Sequence, residues 1–221
     1  MQVIPLAIAD SFLFIPEMLR DDRGSFHEAF RSEVLAELGH GFRPAQSNYS
    51  VSRRNVVRGI HGTLMPPGQS KLVGCPRGAV RDFVVDLRPG SPTFGQHEST
   101  ILDDESGRSV FIAEGLGHAF VALTDDACVS YLCSTSFVPG TQLDIHPFDP
   151  DLALPWEIQD VVVSGKDARA PTLKQALARG LLPSYPECVR HYRRGMPGDH
   201  AFSSDSLPRS ASITEATAKT S

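Results

Sequence analysis

The chain of 221 residues is 41% hydrophobic and 21% charged, the balance of an ordinary soluble globular protein, and its length fits one domain with a substantial core. A formal net charge of −5 argues against nucleic acid as a partner, so any anionic ligand must find positive charge locally. The opening MQVIPLAIAD lacks the basic and small-residue features of a secretory signal, and no window approaches the roughly 18 apolar residues of a span, so a cytoplasmic protein with no membrane partner is expected.

In chain order, DDRGSFHE (21–28) is followed by SEVLAELGHG, whose periodicity predicts a helix with Ser32 as N-cap and Gly39 or Gly41 as stop. From about residue 46 to 137 short apolar runs follow one another: SNYSVS, NVVRGIHG, SKLVGC, AVRDFVVDL, RSVFIA, HAFVAL and ACVSYLCSTSF. Turn formers separate them, which predicts a mostly β, antiparallel sandwich or barrel. AVRDFVVDL does not alternate, since Phe83, Val84 and Val85 put apolar groups on both faces and Arg81, Asp82 and Asp86 put charge on both. It reads as a barrel strand beside a ligand cavity, with an edge strand as the alternative. APTLKQALARGLLP near 171 predicts a second helix ending at Gly180. The folded domain is set at 1–185, and 186–221, rich in Ser, Thr, Arg and Gly, is read as a flexible tail. Cys75, Cys128, Cys133 and Cys188 show no CxxC or zinc-like spacing, so they are expected to be reduced, the first three packed as small apolar residues.

The stretch VVRGIHGTLMPPGQSKLV (56–73) sets Arg58, His61 and Lys71 into a strand pattern broken by Pro66-Pro67-Gly68. Basic groups placed so are either solvated edge residues or the lining of a site. DDRGSFHE, AEGLGHAF (113–120) and SGKDARAP (164–171) also put charge or imidazole next to glycine, where a ligand can approach the backbone. His61 and His118 are the first candidates for a general base, although each alone is more often a surface or hydrogen-bonded core histidine. A cupin-type metal site would show His-x-His, but Gly62 and Thr63 follow His61, so no metal is expected. The absence of GxSxG, GxxxxGK[ST] and GxGxxG before a helix disfavours hydrolase, kinase and dehydrogenase readings.

Taken together, DDRGSFHE, QSNYSVS, RGIH, the Lys of KLV, DLRPGSPTFG, EGLGHAFVAL, SYLCSTSF and SGKDARAP resemble the dTDP-4-dehydrorhamnose 3,5-epimerase family in order and spacing, over residues from about 5 to 183. PPGQ and the GLLPSYPE ending look more like the branch that makes deoxysugars for antibiotics. The resemblance implies a cupin-type double-stranded β-helix, or jelly-roll barrel, with a few short helices, forming a homodimer without metal or cofactor. The implied substrate is a dTDP-4-keto-6-deoxyhexose. Its ketone acidifies the hydrogens on carbons 3 and 5, so a base on one face of the ring and an acid on the other can invert a centre.

His61 is expected to be the base, because an imidazole titrating near about 6.5 is largely neutral at working pH. The resemblance implies Asp167 as its partner, Tyr131 as the acid and Lys71 beside the 4-oxygen. It also places Arg23, Glu28, Gln46, Asn48, Arg58, His118, Gln142 and Lys166 on the substrate. Phe26 could stack on the nucleobase, with core packing as the alternative. The chain departs from the family at Gln142, where a glutamate is usual, at Ser136 and Phe137, where tyrosines are common, and at Ala113, in place of a proline. These departures leave inversion at carbon 3, at carbon 5 or at both open. Two other readings stand beside epimerisation: 3,4-ketoisomerisation of the same sugar nucleotide, and a sugar-nucleotide-binding cupin without turnover.

Overall fold

A computed structural model describes residues 1–194 of the chain. Its first half opens with β1 (Gln2–Pro5), β2 (Ser11–Ile15), the hairpin β3 (Leu19–Asp21) and β4 (Gly24–Phe26), and helix α1 (Ser32–Glu37). The apolar runs then form β5 (Gln46–Ser52), β6 (Val57–Thr63), β7 (Lys71–Arg77), β8 (Ala79–Asp86), β9 (His97–Asp103), β10 (Ser109–Ile112), β11 (Leu116–Ala122), β12 (Ala127–Cys133) and β13 (Gln142–Asp144). A 3-10 turn at Asp167–Arg169 precedes α2 (Leu173–Ala178) and α3 (Tyr185–Arg194).

The strands form a six-stranded sheet, ordered β1-β2-β10-β7-β12-β5, and a five-stranded sheet, ordered β13-β6-β11-β8-β9. Pairing within both is antiparallel, and together they make the jelly roll that the resemblance implies. Between the sheets lies a cluster that includes Phe14, Val73, Val84, Phe111, Phe120 and Val129. A second cluster covers the outer face of the five-stranded sheet, where Phe83, Val85 and Val121 pack against Leu152, Trp156 and Leu173. That sheet is therefore buried on both faces. This is why AVRDFVVDL fails to alternate: β8 lies between β11 and β9 and is not an edge.

The helix near residue 32 forms, but Arg31 holds the extended N-cap conformation and Ser32 is already helical, with no side-chain cap. Gly39 follows its end at φ 85°. At α2 Thr172 and Gln175 cap each other reciprocally, and Gly180 ends the segment at φ 66°.

The segment read as a tail is helical over its first residues. Cys188 and Tyr192, four apart on α3, are both buried. Tyr192 receives a hydrogen bond of 2.6 Å from Arg88, a fully buried guanidinium that also binds Asp86, Asp10 and the Ala9 carbonyl. Apolar packing of Cys188, Val189 and Tyr192 and a satisfied buried cation hold α3 to the domain, an arrangement that composition alone does not reveal. Residues 195–221, the rest of the proposed tail, lie outside the described residues. All four cysteines are free; Cys75, Cys133 and Cys188 are buried and Cys128 is half-buried.

Candidate active site

A cavity of about 340 Å³ opens between the two sheets. β6 and β11 of the five-stranded sheet supply Arg58, His61 and His118 to one wall, while β5, β7 and β12 of the six-stranded sheet supply Gln46, Asn48, Lys71 and Tyr131 to the other. Gln142 of β13 stands at the rim.

Arg58 and His61 are three residues apart, a spacing that puts strand side chains on opposite faces. Both nevertheless line the cavity, because the pairing of β6 with β11 slips: His61 lies opposite His118, but Arg58 lies opposite Phe120. Two residues of β6, Gly59 and Ile60, stand against one of β11, Ala119, which is a β-bulge. Gly59 permits it, at φ 112°, where a Cβ would sit 2.5 Å from the His118 carbonyl. The glycine in RGIH thus re-aims the histidine.

His61 Nε2 lies 2.8 Å from Asp167 Oδ1. Asp167 is buried, and its backbone N–H donates to Ser164 Oγ. Burial disfavours its charge, but the hydrogen bond and charge of His61, with Ser164 and Lys166, outweigh that and hold the carboxyl below the usual range. With the Nε2 proton directed at a carboxylate, the basic lone pair of His61 is on Nδ1.

On the opposite wall the Tyr131 hydroxyl is 3.1 Å from Ser50 Oγ. Burial pushes its pKa up to about 12, with Asp82 adding to the rise and Ser50 opposing it, so the phenol keeps its proton at neutral pH. The Lys71 ammonium has no hydrogen bond or ion pair among the described residues, and burial lowers its pKa. Arg58 is steadied by Ser52 Oγ at 3.0 Å and the Val51 carbonyl at 3.3 Å. Gln46 bonds Asn48 and accepts the Phe137 N–H. Lys166 lies 3.0 Å from Gln142 Oε1.

Of the expected site residues, Lys166 and Asp167 stand beside the cavity rather than lining it, contacting Gln142 and His61, and three stand farther off. Arg23, Phe26 and Glu28 line no part of this cavity: they belong to or follow the β3–β4 hairpin, which forms a small sheet of its own. Arg23 is exposed and paired with Asp21, and Glu28 pairs with Arg31 at 2.8 Å. Phe26 is 70% exposed, so core packing does not account for it. Of the departures from the family, Ser136, Phe137 and Gln142 line the cavity, whereas Ala113 is buried in the core between the sheets.

Sequence reasoning missed two carboxylates. Asp82 is buried behind His118, with Oδ2 at 2.5 Å from its Nε2 and Oδ1 without a hydrogen-bond partner among the described residues. Asp144 lies 3.8 Å from His61 Nε2 and 2.9 Å from Lys166 Nζ. His61, Asp144 and Asp167 thus converge within 4.8 Å, two carboxylates around an imidazole, of which Asp144 is ion-paired with Lys166. A signal for Asp82 was present as one of three charges in a strand that proves buried on both faces. No short pattern marks Asp144, whose place beside His61 is set by the pairing of β13 with β6.

Fold and cavity together define a cupin-type acid–base enzyme, with a carboxylate-backed imidazole on one wall and a protonated phenol on the other. The sequence model of the dTDP-4-dehydrorhamnose 3,5-epimerase family matches residues 5–175. The chain belongs to that family. It is 46% identical over 184 residues to a dTDP-4-dehydrorhamnose 3,5-epimerase of Mycolicibacterium smegmatis, covering 83% of this chain and 91% of that one. Among solved structures it is similar to NovW, a 4-keto-6-deoxy sugar epimerase from the novobiocin biosynthetic gene cluster of Streptomyces spheroides, with TM-score 0.83, 46% identity and coverage of 85% and 95%. It is also similar to ChmJ, a 3'-monoepimerase from Streptomyces bikiniensis in complex with dTDP-quinovose, with TM-score 0.80, 44% identity and coverage of 86% and 98%.

Proposed function

We propose that this enzyme epimerises a dTDP-4-keto-6-deoxyhexose at carbon 3, carbon 5 or both, with His61 removing a proton from one face of the ring and Tyr131 returning one to the other. The carrying observation is the 2.8 Å contact between His61 and buried Asp167 in a cavity whose facing wall bears Tyr131. Asp167 fixes the tautomer that leaves Nδ1 basic and stabilises the imidazolium formed. Lys71, a cation unpaired among the described residues, is available to the oxyanion that develops on oxygen 4 of the enolate. Arg58 and Lys166 bring positive charge to a diphosphate in a protein that is acidic overall. The four free thiols suit a cytoplasmic enzyme, where they stay reduced.

The test is incubation with a dTDP-4-keto-6-deoxyglucose-type substrate in heavy water, read by mass spectrometry and NMR. Deuterium at carbon 3, carbon 5 or both is expected, with the ketone remaining at carbon 4. No exchange at either carbon would reject the reading.

The functional unit is inferred to be a homodimer. Arg23, Phe26 and Glu28, assigned to the substrate by resemblance, sit outside their own chain's cavity, and β5, one of the two edge strands of its sheet, exposes Tyr49 and Val51. A second copy that brought its hairpin to the cavity mouth would account for both. Mixing His61→Asn with Arg23→Ala chains then restores roughly a quarter of wild-type activity, because one site of each mixed dimer is intact. Mixtures that stay inactive would sink the shared site.

A further inference from the structure

β13 carries Gln142 and Asp144 on one face, since alternate strand residues point the same way, while Leu143 between them turns into the outer core. The carboxylate of this strand therefore stands at position 144, with a neutral amide at 142. Register fixes the consequence. Asp144 pairs directly with His61 across β13 and β6, which sets its Oδ1 3.8 Å from Nε2, beyond hydrogen-bond range but within reach of its charge. Asp167 already holds the Nε2 proton, so Asp144 acts on the histidine as a charge alone.

That charge has a movable counter-ion. Lys166 Nζ touches Asp144 Oδ1 at 2.9 Å and Gln142 Oε1 at 3.0 Å, yet its side chain is 51% exposed and sits one residue before Asp167. On the functional reading above, on which this inference rests, Lys166 also faces an incoming diphosphate. A flexible, half-exposed ammonium cannot neutralise both anions fully. We infer that Asp144 is a positioning residue for the base: Lys166 masks its carboxylate in the free enzyme, and transfer of Lys166 to the substrate's diphosphate uncovers that charge and raises the proton affinity of His61 when substrate is bound.

The other titratable groups that face His61 from neighbouring elements are Asp167 on the 3-10 turn, His118 on β11 backed by Asp82 of β8, Lys71 on β7, Tyr131 on β12 and Arg58 on its own strand. Apart from Asp167, its neighbour in the chain and Coulombic partner, none of these is hydrogen-bonded or ion-paired to Lys166 among the described residues. The pair Asp144 and Lys166 is therefore the part of the site that can respond to a bound anion without disturbing the hydrogen bond to His61.

The experiment follows the ring-nitrogen NMR titration of His61 with and without thymidine diphosphate. In the wild type the midpoint is expected to rise by about one pH unit on adding the nucleotide, the size of effect that an uncovered charge at this distance produces. Asp144→Asn lowers the midpoint and abolishes the response; Lys166→Met raises the midpoint before any nucleotide is added. The acid limb of kcat/KM, which reports the free enzyme, then lies below that of kcat in the wild type, and the two coincide in Asp144→Asn. Asp144→Ser repeats the measurement should the amide repack. A wild-type midpoint and response in both Asp144 variants would overturn the inference. Undiminished deuterium exchange in His61→Asn would instead overturn the functional reading, while the nucleotide-free midpoints still decide whether Asp144 acts on His61.

Discussion

His61 and Asp167 are 106 residues apart in the chain and 2.8 Å apart in the fold. Asparagine is isosteric with Asp167 and smaller than His61, and at either position it breaks the proposed catalytic pair. His61→Asn is expected to abolish deuterium exchange. Asp167→Asn removes most of it, by roughly 10⁴-fold if the wrong tautomer is stabilised as in a hydrolase triad. Heavy-water exchange checks both.

Asp167 also makes a claim on stability. Its folded carboxyl titrates below the unfolded value of about 3.9, because its partners outweigh the cost of burial. The unfolded chain therefore binds more protons in that window. The contribution is complete above the unfolded value and is lost as pH falls through the folded one. Urea midpoints across pH 2 to 6 are expected to fall less steeply in Asp167→Asn than in the wild type.

Tyr131 and Lys71 predict separable defects. Tyr131→Phe still forms the enolate, so epimerisation falls more than proton wash-out does; equal losses would remove the acid role. Lys71→Met is expected to slow both, by roughly 10²- to 10³-fold, the usual effect of losing one donor to an oxyanion. Because burial holds Tyr131 at about 12 and lowers Lys71, the alkaline fall in rate should belong to Lys71 and vanish in Lys71→Met.

Gly59→Ala tests the bulge. The new methyl meets the His118 carbonyl at 2.5 Å and needs an unfavourable φ of 112°, a strain of about 1–3 kcal/mol before the clash is counted. Lower stability in urea, with exchange lost by at least tenfold in the folded fraction, is the expected result.

Asp86→Ala tests the anchor of α3. It leaves the buried Arg88 guanidinium without its bidentate partner, which costs about 3–5 kcal/mol. Ending the chain before Tyr185 removes the Tyr192 acceptor and should also destabilise, although its α3 residues were assigned to a tail on composition. Equilibrium unfolding measures both.

The strand pattern from β5 to β12 was largely legible, because its apolar runs are bounded by glycine and proline turns. β9 was not. HESTILD lies at a sheet edge with only Leu102 fully buried, so it presents little of the periodicity that marks a strand. α3 escaped because its case for folding rests on Arg88, a contact across 104 residues. Of the site, Arg58, His61, Lys71, His118 and Tyr131 could be named from motifs and resemblance. Asp144 could not, because its role is set by strand register and no short pattern records which residue lies across a sheet. The separation of Arg23, Phe26 and Glu28 from the cavity is likewise a matter of topology that their motif does not carry.

Imidazole and phenol come from different sheets, so no fragment holding only one layer can hold both the proposed base and the proposed acid. On that proposal, activity arises only once the sandwich has closed. Deuterium uptake by substrate during refolding would therefore report the docking of the two layers, and a partly assembled chain would be silent in that assay whatever secondary structure it had gained.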